Sequence, residues 1–201
     1  MTTQLILGLV AFAFVSSITP GPNNLMLMAS GTNFGFVRTV PHMLGVALGF
    51  VAMVLLVGAG LAQIFVRFPI MHEILKWVSV SYLLFLAWKI AHARPPQATP
   101  DAAAQPFTFM QAALFQWVNP KAWTMALTAV TAYVPTQNPW ISLVTVGIVF
   151  GLVNLPSVSA WALLGAQLRR FLDRPEILKA FNYSAALLLI ASLYPIIFDK
   201  H

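Results

Sequence analysis

The sequence predicts an all-α membrane protein of six transmembrane helices, arranged as two inverted three-helix repeats with helices one and four broken. Three observations predict it. Of 201 residues, 59% are apolar and 8% charged, against about 25% charged in an average soluble domain. The apolar residues fall in continuous runs of spanning length. Two of those runs, one in each half of the chain, are interrupted by asparagine next to proline.

So few charges cannot supply the polar skin of a soluble globule. An ordinary cytosolic enzyme, a nucleic-acid module and a disordered chain are excluded. The net charge of +6 comes from 11 Lys and Arg against 5 Asp and Glu. These basic residues sit in the gaps between apolar runs, where they set orientation in a bilayer and require no nucleic-acid partner. Cysteine is absent, which removes disulfides, thiolate metal sites and thiol nucleophiles. Leu5 to Val15 is apolar, but no Lys or Arg precedes it and the run continues past Pro20. It therefore reads as a retained first span and not as a signal peptide.

A spanning helix needs about 20 mostly apolar residues. Six segments qualify: 4–30, 40–66, 71–92, 107–133, 139–168 and 177–198. None shows the period-2 alternation of a β-barrel. The stretch 94–106 carries four prolines in thirteen residues and reads as a linker. It divides a first three-helix repeat, 1–93, from a second, 107–201. Six spans place both termini on one side. Arg38, Lys89, Arg94, Arg169, Arg170, Arg174 and Lys179 fall on the opposite face, while Arg67, Lys76 and Lys200 share the face of the termini. The positive-inside rule makes the richer face cytoplasmic and puts both termini outside. Each half runs from a break to a Gly-x3-Gly motif (Gly45 and Gly49, then Gly147 and Gly151) and on to a plain span. An odd number of spans per half turns the second copy upside down, the arrangement of transporters whose sites lie between paired broken helices.

Thr19-Pro20-Gly21-Pro22-Asn23-Asn24 removes two backbone donors inside a span. Hydrocarbon cannot satisfy the freed carbonyls, so this backbone must be buried in protein or line a wet cavity. Pro22 suits the first turn of a restarted helix, and Asn23 and Asn24 add donors and acceptors. Gln116, Asn119, Pro120 and Lys121 form the second interruption. Lys121 lies roughly 20 Å from either end of its span, too far to snorkel comfortably. It must face the interior or water, where it either receives a substrate carboxylate or binds carbonyls freed by the broken helices. Asn154, with Pro156 and Ser157, is a third polar point. His42, beside Pro41, is a candidate proton carrier. The glycines at 31, 35, 45, 49, 147 and 151 read as packing positions, and exposed Gly-x3-Gly faces suggest a homodimer. Most tryptophans read as interfacial anchors, and the methionines as lipid-facing or packing residues. Every acid (Glu73, Asp101, Asp173, Glu176, Asp199) lies near a loop or span end. The usual carboxylate proton relay is thus missing, as are hydrolase, nucleotide-binding and metal motifs. No catalytic residue, metal or cofactor is expected.

Thr-Pro-Gly-Pro-Asn-Asn at 19–24, the glycines at 31, 35, 45 and 49, Tyr-Leu-Leu-Phe-Leu-Ala-Trp-Lys at 82–89 and Phe-Gln-Trp-Val-Asn-Pro-Lys-Ala at 115–122 resemble the LysE/RhtB family of bacterial amino-acid exporters. The resemblance runs over almost the whole chain, and its pattern is closest to the cysteine/O-acetylserine branch. It implies a six-span inner-membrane protein that moves small amino acids or their derivatives outward, in exchange for protons and without a cofactor. The expected site comprises Pro20, Gly21, Pro22, Asn23, Asn24, Gln116, Asn119, Pro120, Lys121 and Asn154, with His42 for coupling.

Overall fold

The computed structural model describes residues 1–93, 105–135, 139–172, 175–194 and 197. Most of the predicted linker lies outside the described residues, as do Arg94, Asp101, Asp173, Arg174, Asp199 and Lys200. Every regular element among the described residues is helical. They are α1 (Thr3–Ile18), α2 (Pro22–Phe34), α3 (Phe36–Leu56), α4 (Ala62–Arg67), α5 (Ile70–Ala91), α6 (Phe109–Phe115), α7 (Pro120–Tyr133), α8 (Pro139–Leu168) and α9 (Pro175–Ala191).

Three stretches are long and apolar enough to cross a membrane: Phe36–Ile64, Glu73–Ala91 and Pro139–Phe171. The pair α1 and α2, bent by 54° at its break, makes a fourth. Among the described residues, the fourth and sixth predicted spans do not reach that length. α6 has 7 residues and α7 has 14, with a 3-10 turn at Gln116–Val118 between them, and α9 has 17. Proline explains both restarts, since α2 and α7 each begin on one and a proline at the first helical position forfeits no helical hydrogen bond.

α1 and α2 both pack on α8, α3 packs on α6 and α8, and α5 pairs with α9. One apolar cluster joins α1, α3, α7 and α8 through Leu9, Phe50, Trp123, Ala126 and Phe150. A second joins α2, α5, α6 and α9 through Met26, Leu86, Phe115 and Leu189. Outward faces stay apolar: Leu7, Val144, Ile148, Leu152 and Leu187 are exposed. Trp77, Trp88 and Trp140 are exposed too. Trp123 and Trp161 are not anchors; their indole N–H groups donate inward, to Trp117 O at 2.9 Å and Ile18 O at 3.0 Å.

Close approach is concentrated where α2 crosses α8. A Cβ on Gly31 would strike Ala162 O, and one on Gly165 would strike Met28 O. The same holds for Gly45 against Phe109 O on α6. Gly147 and Gly151 differ from expectation. They face the side chains of Leu55 and Val51, with ideal Cβ positions 3.2 and 3.4 Å away. Both Gly-x3-Gly motifs are thus taken up within the chain. Gly35 is a joint and not a packing position. It alone separates α2 from α3 and holds φ 81°, ψ 167°, a region essentially restricted to glycine.

Candidate functional site

The break between α1 and α2 leaves a run of carbonyls that α-helical bonding cannot satisfy. Each finds a partner. Val15 O keeps an ordinary helical bond from Thr19 N at 3.1 Å; beyond it, Ser16 O accepts from Thr19 Oγ1 at 3.2 Å. Asn24 Nδ2 donates to Ser17 O and to Thr19 O, both at 2.8 Å. Trp161 Nε1, from α8, takes Ile18 O. Lys121 Nζ donates to Thr19 O at 2.7 Å, Thr19 Oγ1 at 2.9 Å and Pro20 O at 3.4 Å. Gly21 O accepts from Leu25 N at 3.0 Å.

Of the two roles that the sequence leaves open for Lys121, the structure displays the second. Its ammonium sits at the C-terminal end of α1, where the helix dipole favours a cation. Gly21 makes room for it, since a Cβ there would lie 2.8 Å from Lys121 Cδ. Asn119 caps α7, accepting from Lys121 N at 3.1 Å. Gln116 and Asn23 form a reciprocal amide pair: Asn23 Nδ2 donates to Gln116 Oε1 at 2.8 Å, and Gln116 Nε2 to Asn23 Oδ1 at 3.2 Å. The two interruptions, about a hundred residues apart in the chain, are thus joined at an amide pair and at an ammonium.

Gly21, Asn23, Asn24, Gln116, Asn119, Lys121 and Asn154 line one cleft with a volume of about 20 Å3. That is room for about one water molecule. Pro20 contributes a carbonyl at its rim, while Pro22 and Pro120 serve as helix starts. Asn154 is 5% exposed; its Nδ2 donates to Ser17 Oγ at 3.3 Å, and its Oδ1 has no partner among the described residues. His42 does not join this group. It lines a larger cavity at the other end of α2, its ring 5.2 Å from that of Phe107.

Sequence reasoning missed Ser16 and Ser17, which also line the cleft. Their signal was two adjacent hydroxyls one helical turn before the Pro-Gly-Pro break. It also missed Asn33 and Asn182, a reciprocal amide pair at 3.0 and 3.3 Å linking α2 to α9. Among the described residues no three His, Asp or Glu cluster as metal ligands would.

Apolar helices that turn their buried polar groups toward two joined interruptions define a class, the helical membrane protein with an internal polar cleft. The family follows from comparison: residues 14–192 match the model of the LysE type translocator, and the chain belongs to that family, one of translocators and not of enzymes. It is similar to the cysteine/O-acetylserine efflux protein of Salmonella typhimurium, 30% identical over 171 residues that cover 85% of this chain and 87% of that protein. The protein of the same description from Escherichia coli K12 is 29% identical over 191 residues, 94% of this chain and 96% of its own. That from Klebsiella pneumoniae is 29% identical over 174 residues, covering 85% and 86%. No solved structure matches the chain.

Proposed function

We propose that this translocator exports a small amino acid or amino-acid derivative across the bacterial inner membrane, by secondary active transport with alternating access. Cysteine and O-acetylserine lead the substrate set because the relatives' descriptions name them; homoserine and threonine follow. The substrate binds where the two interruptions meet. Backbone groups at Gly21 to Asn24 and the side chains of Asn23, Gln116, Asn119, Lys121 and Asn154 hold its charged ends.

One observation carries this reading: Lys121 of one interrupted helix reaches Thr19 and Pro20 of the other. A cation and an amide pair bridging two broken helices make a site that opens only when those helices part. The cleft of about 20 Å3 is too small for an amino acid, so binding requires the helices to part. Binding the substrate exchanges the Lys121 contacts for contacts to its carboxylate.

The same proposal includes six spans in two inverted repeats, 1–93 and 107–201, with both termini outside. Packing supports the inversion, since the opening helix of each half rests on the long helix of the other: α1 on α8 and α6 on α3. His42 is the candidate for proton coupling, because the described carboxylates Glu73 and Glu176 sit at the first turns of α5 and α9.

Proteoliposomes test the function directly. An imposed proton gradient drives uptake of labelled O-acetyl-L-serine, L-cysteine, L-homoserine or L-threonine; no gradient-dependent movement of any amino acid defeats the reading. A reporter fused at His201 tests the orientation, and cytoplasmic activity there overturns it.

A further inference from the structure

The cavity at the far end of α2 has a chemistry of its own. It encloses about 260 Å3, near the lower limit of about 300 Å3 for small-molecule pockets. Met26, Ser30, Asn33, His42, Lys89 and Phe107 are among its walls. His42 is 1% exposed, and neither ring nitrogen has a hydrogen-bond partner among the described residues. Its polar neighbours are satisfied: Ser30 Oγ pairs with Thr39 Oγ1 at 2.9 Å, and Asn33 pairs with Asn182. A buried imidazole with no partner among the described residues, beside paired neighbours, is a group available to a ligand. Lys89 Nζ lies 5.6 Å from the centroid of Phe107, the ring that also stacks against His42. Among the described residues, neither Glu73 nor Glu176 ion-pairs with it. The two nitrogen-bearing groups therefore lie near one aromatic ring in the wall of one cavity.

We propose that this cavity is a second binding site on the transport path. It takes a zwitterionic amino acid or derivative, carboxylate toward Lys89 and ammonium against the imidazole of His42. The inference rests on the exporter reading. A neutral imidazole offers one acceptor nitrogen, which an ammonium can use. A lysine ammonium forms a charge-assisted bond with a carboxylate. Met26 and Phe107 supply apolar wall for a small side chain.

The site and the central cleft lie along one side of α2. Asn23, Met26, Ser30 and Asn33 are spaced three, four and three residues apart, so they share one side of α2. Asn23 lines the cleft and the other three line the cavity. The cavity lies at the end of the molecule that carries Arg38, Arg169 and Arg170, the predicted cytoplasmic face. A molecule held by His42 and Lys89 waits there until α2 and α6 separate at the Asn23–Gln116 pair.

The absence of cysteine makes a clean test. Ser30→Cys places one thiol in the cavity of the full-length chain, and its alkylation rate by a maleimide is measured in detergent with and without O-acetyl-L-serine. Phe34→Cys, also on the cavity wall, repeats the measurement if the first variant folds poorly. Transport of the same compound is assayed in parallel. The expected result is slower alkylation with O-acetyl-L-serine, and a protection midpoint raised about tenfold by Lys89→Gln or His42→Phe, as loss of one charge-assisted contact predicts. Transport without protection, or protection indifferent to both substitutions, overturns the second site and leaves the exporter reading standing. Failure of the parent chain to transport any amino acid overturns the exporter reading, and the second site with it.

Discussion

At the break between α1 and α2, the carbonyls of Ser17, Ile18, Thr19 and Pro20 depend on Asn24, Trp161 and Lys121. Two of those three donors belong to other helices. At the break between α6 and α7 the supply is local. Gln116 Nε2 returns to Ala112 O at 2.9 Å, Asn119 N to Gln116 O at 3.3 Å, and Trp123 Nε1 to Trp117 O. Asn119 O accepts from Ala122 N and Trp123 N. One break is therefore held mainly by tertiary contacts and the other, apart from the Asn23–Gln116 pair, by its own sequence. A movement that separates α7 from α1 takes the Lys121 donor from the first break and leaves the Lys121 ammonium without those acceptors, while the backbone ladder of the second break is kept.

The sharpest way to break this comparison is at the crossing that fixes α2. Gly165→Leu drives a side chain into the backbone of Met28. Overpacking of this kind costs about 1–3 kcal/mol even against side chains, and backbone yields less. Folded, monodisperse protein on fluorescence-detected size exclusion is expected to fall sharply. A parent-like profile places the rigid anchor of α2 elsewhere.

Lys121→Ala comes next. It leaves Pro20 O without a donor and Thr19 O with Asn24 alone. Hydrogen bonds to a charged group contribute about 1.5–3 kcal/mol. Membrane abundance is expected to drop moderately and transport, corrected for abundance, at least about tenfold. Normal abundance with undiminished transport removes Lys121 from the mechanism.

Asn119→Ala is the smallest. It deletes a side-chain cap on α7, worth about 1 kcal/mol, and the midpoint of thermal unfolding falls by about 2–4 °C. Transport falls as well, but by less than in Lys121→Ala, because a neutral contact is lost and the local ladder of the second break remains. Damage equal to that of Lys121→Ala means that the two breaks are not so different.

The interruptions were legible because missing donors are written into the chain: Pro20 and Pro22, then Pro120, have no N–H to give. The inward lysine was legible too, since its position in the span allows no other sink for the charge. Its partners were legible only as one of two alternatives, carbonyls freed by the broken helices, because α1 and α7 meet only in three dimensions. Trp161 misled for a related reason: an indole looks the same in sequence whether it faces headgroups or a stranded carbonyl. Gly147 and Gly151 repeat the spacing of Gly45 and Gly49, yet only the earlier pair meets a neighbour at backbone distance. Spacing shows which side of a helix is small, and the opposing helix decides whether that smallness is used. Asn33 and Asn182 are polar residues in apolar surroundings, and nothing local links them across 149 positions.

The joint at Gly35 has a mechanical consequence. With a single residue between Phe34 and Phe36, there is no slack to absorb a swing of the shorter arm. Tilting α2 turns the base of α3 with it, carrying Arg38 and His42 along as a bent crank carries its handle. Glycine is the residue that lets this elbow close so tightly.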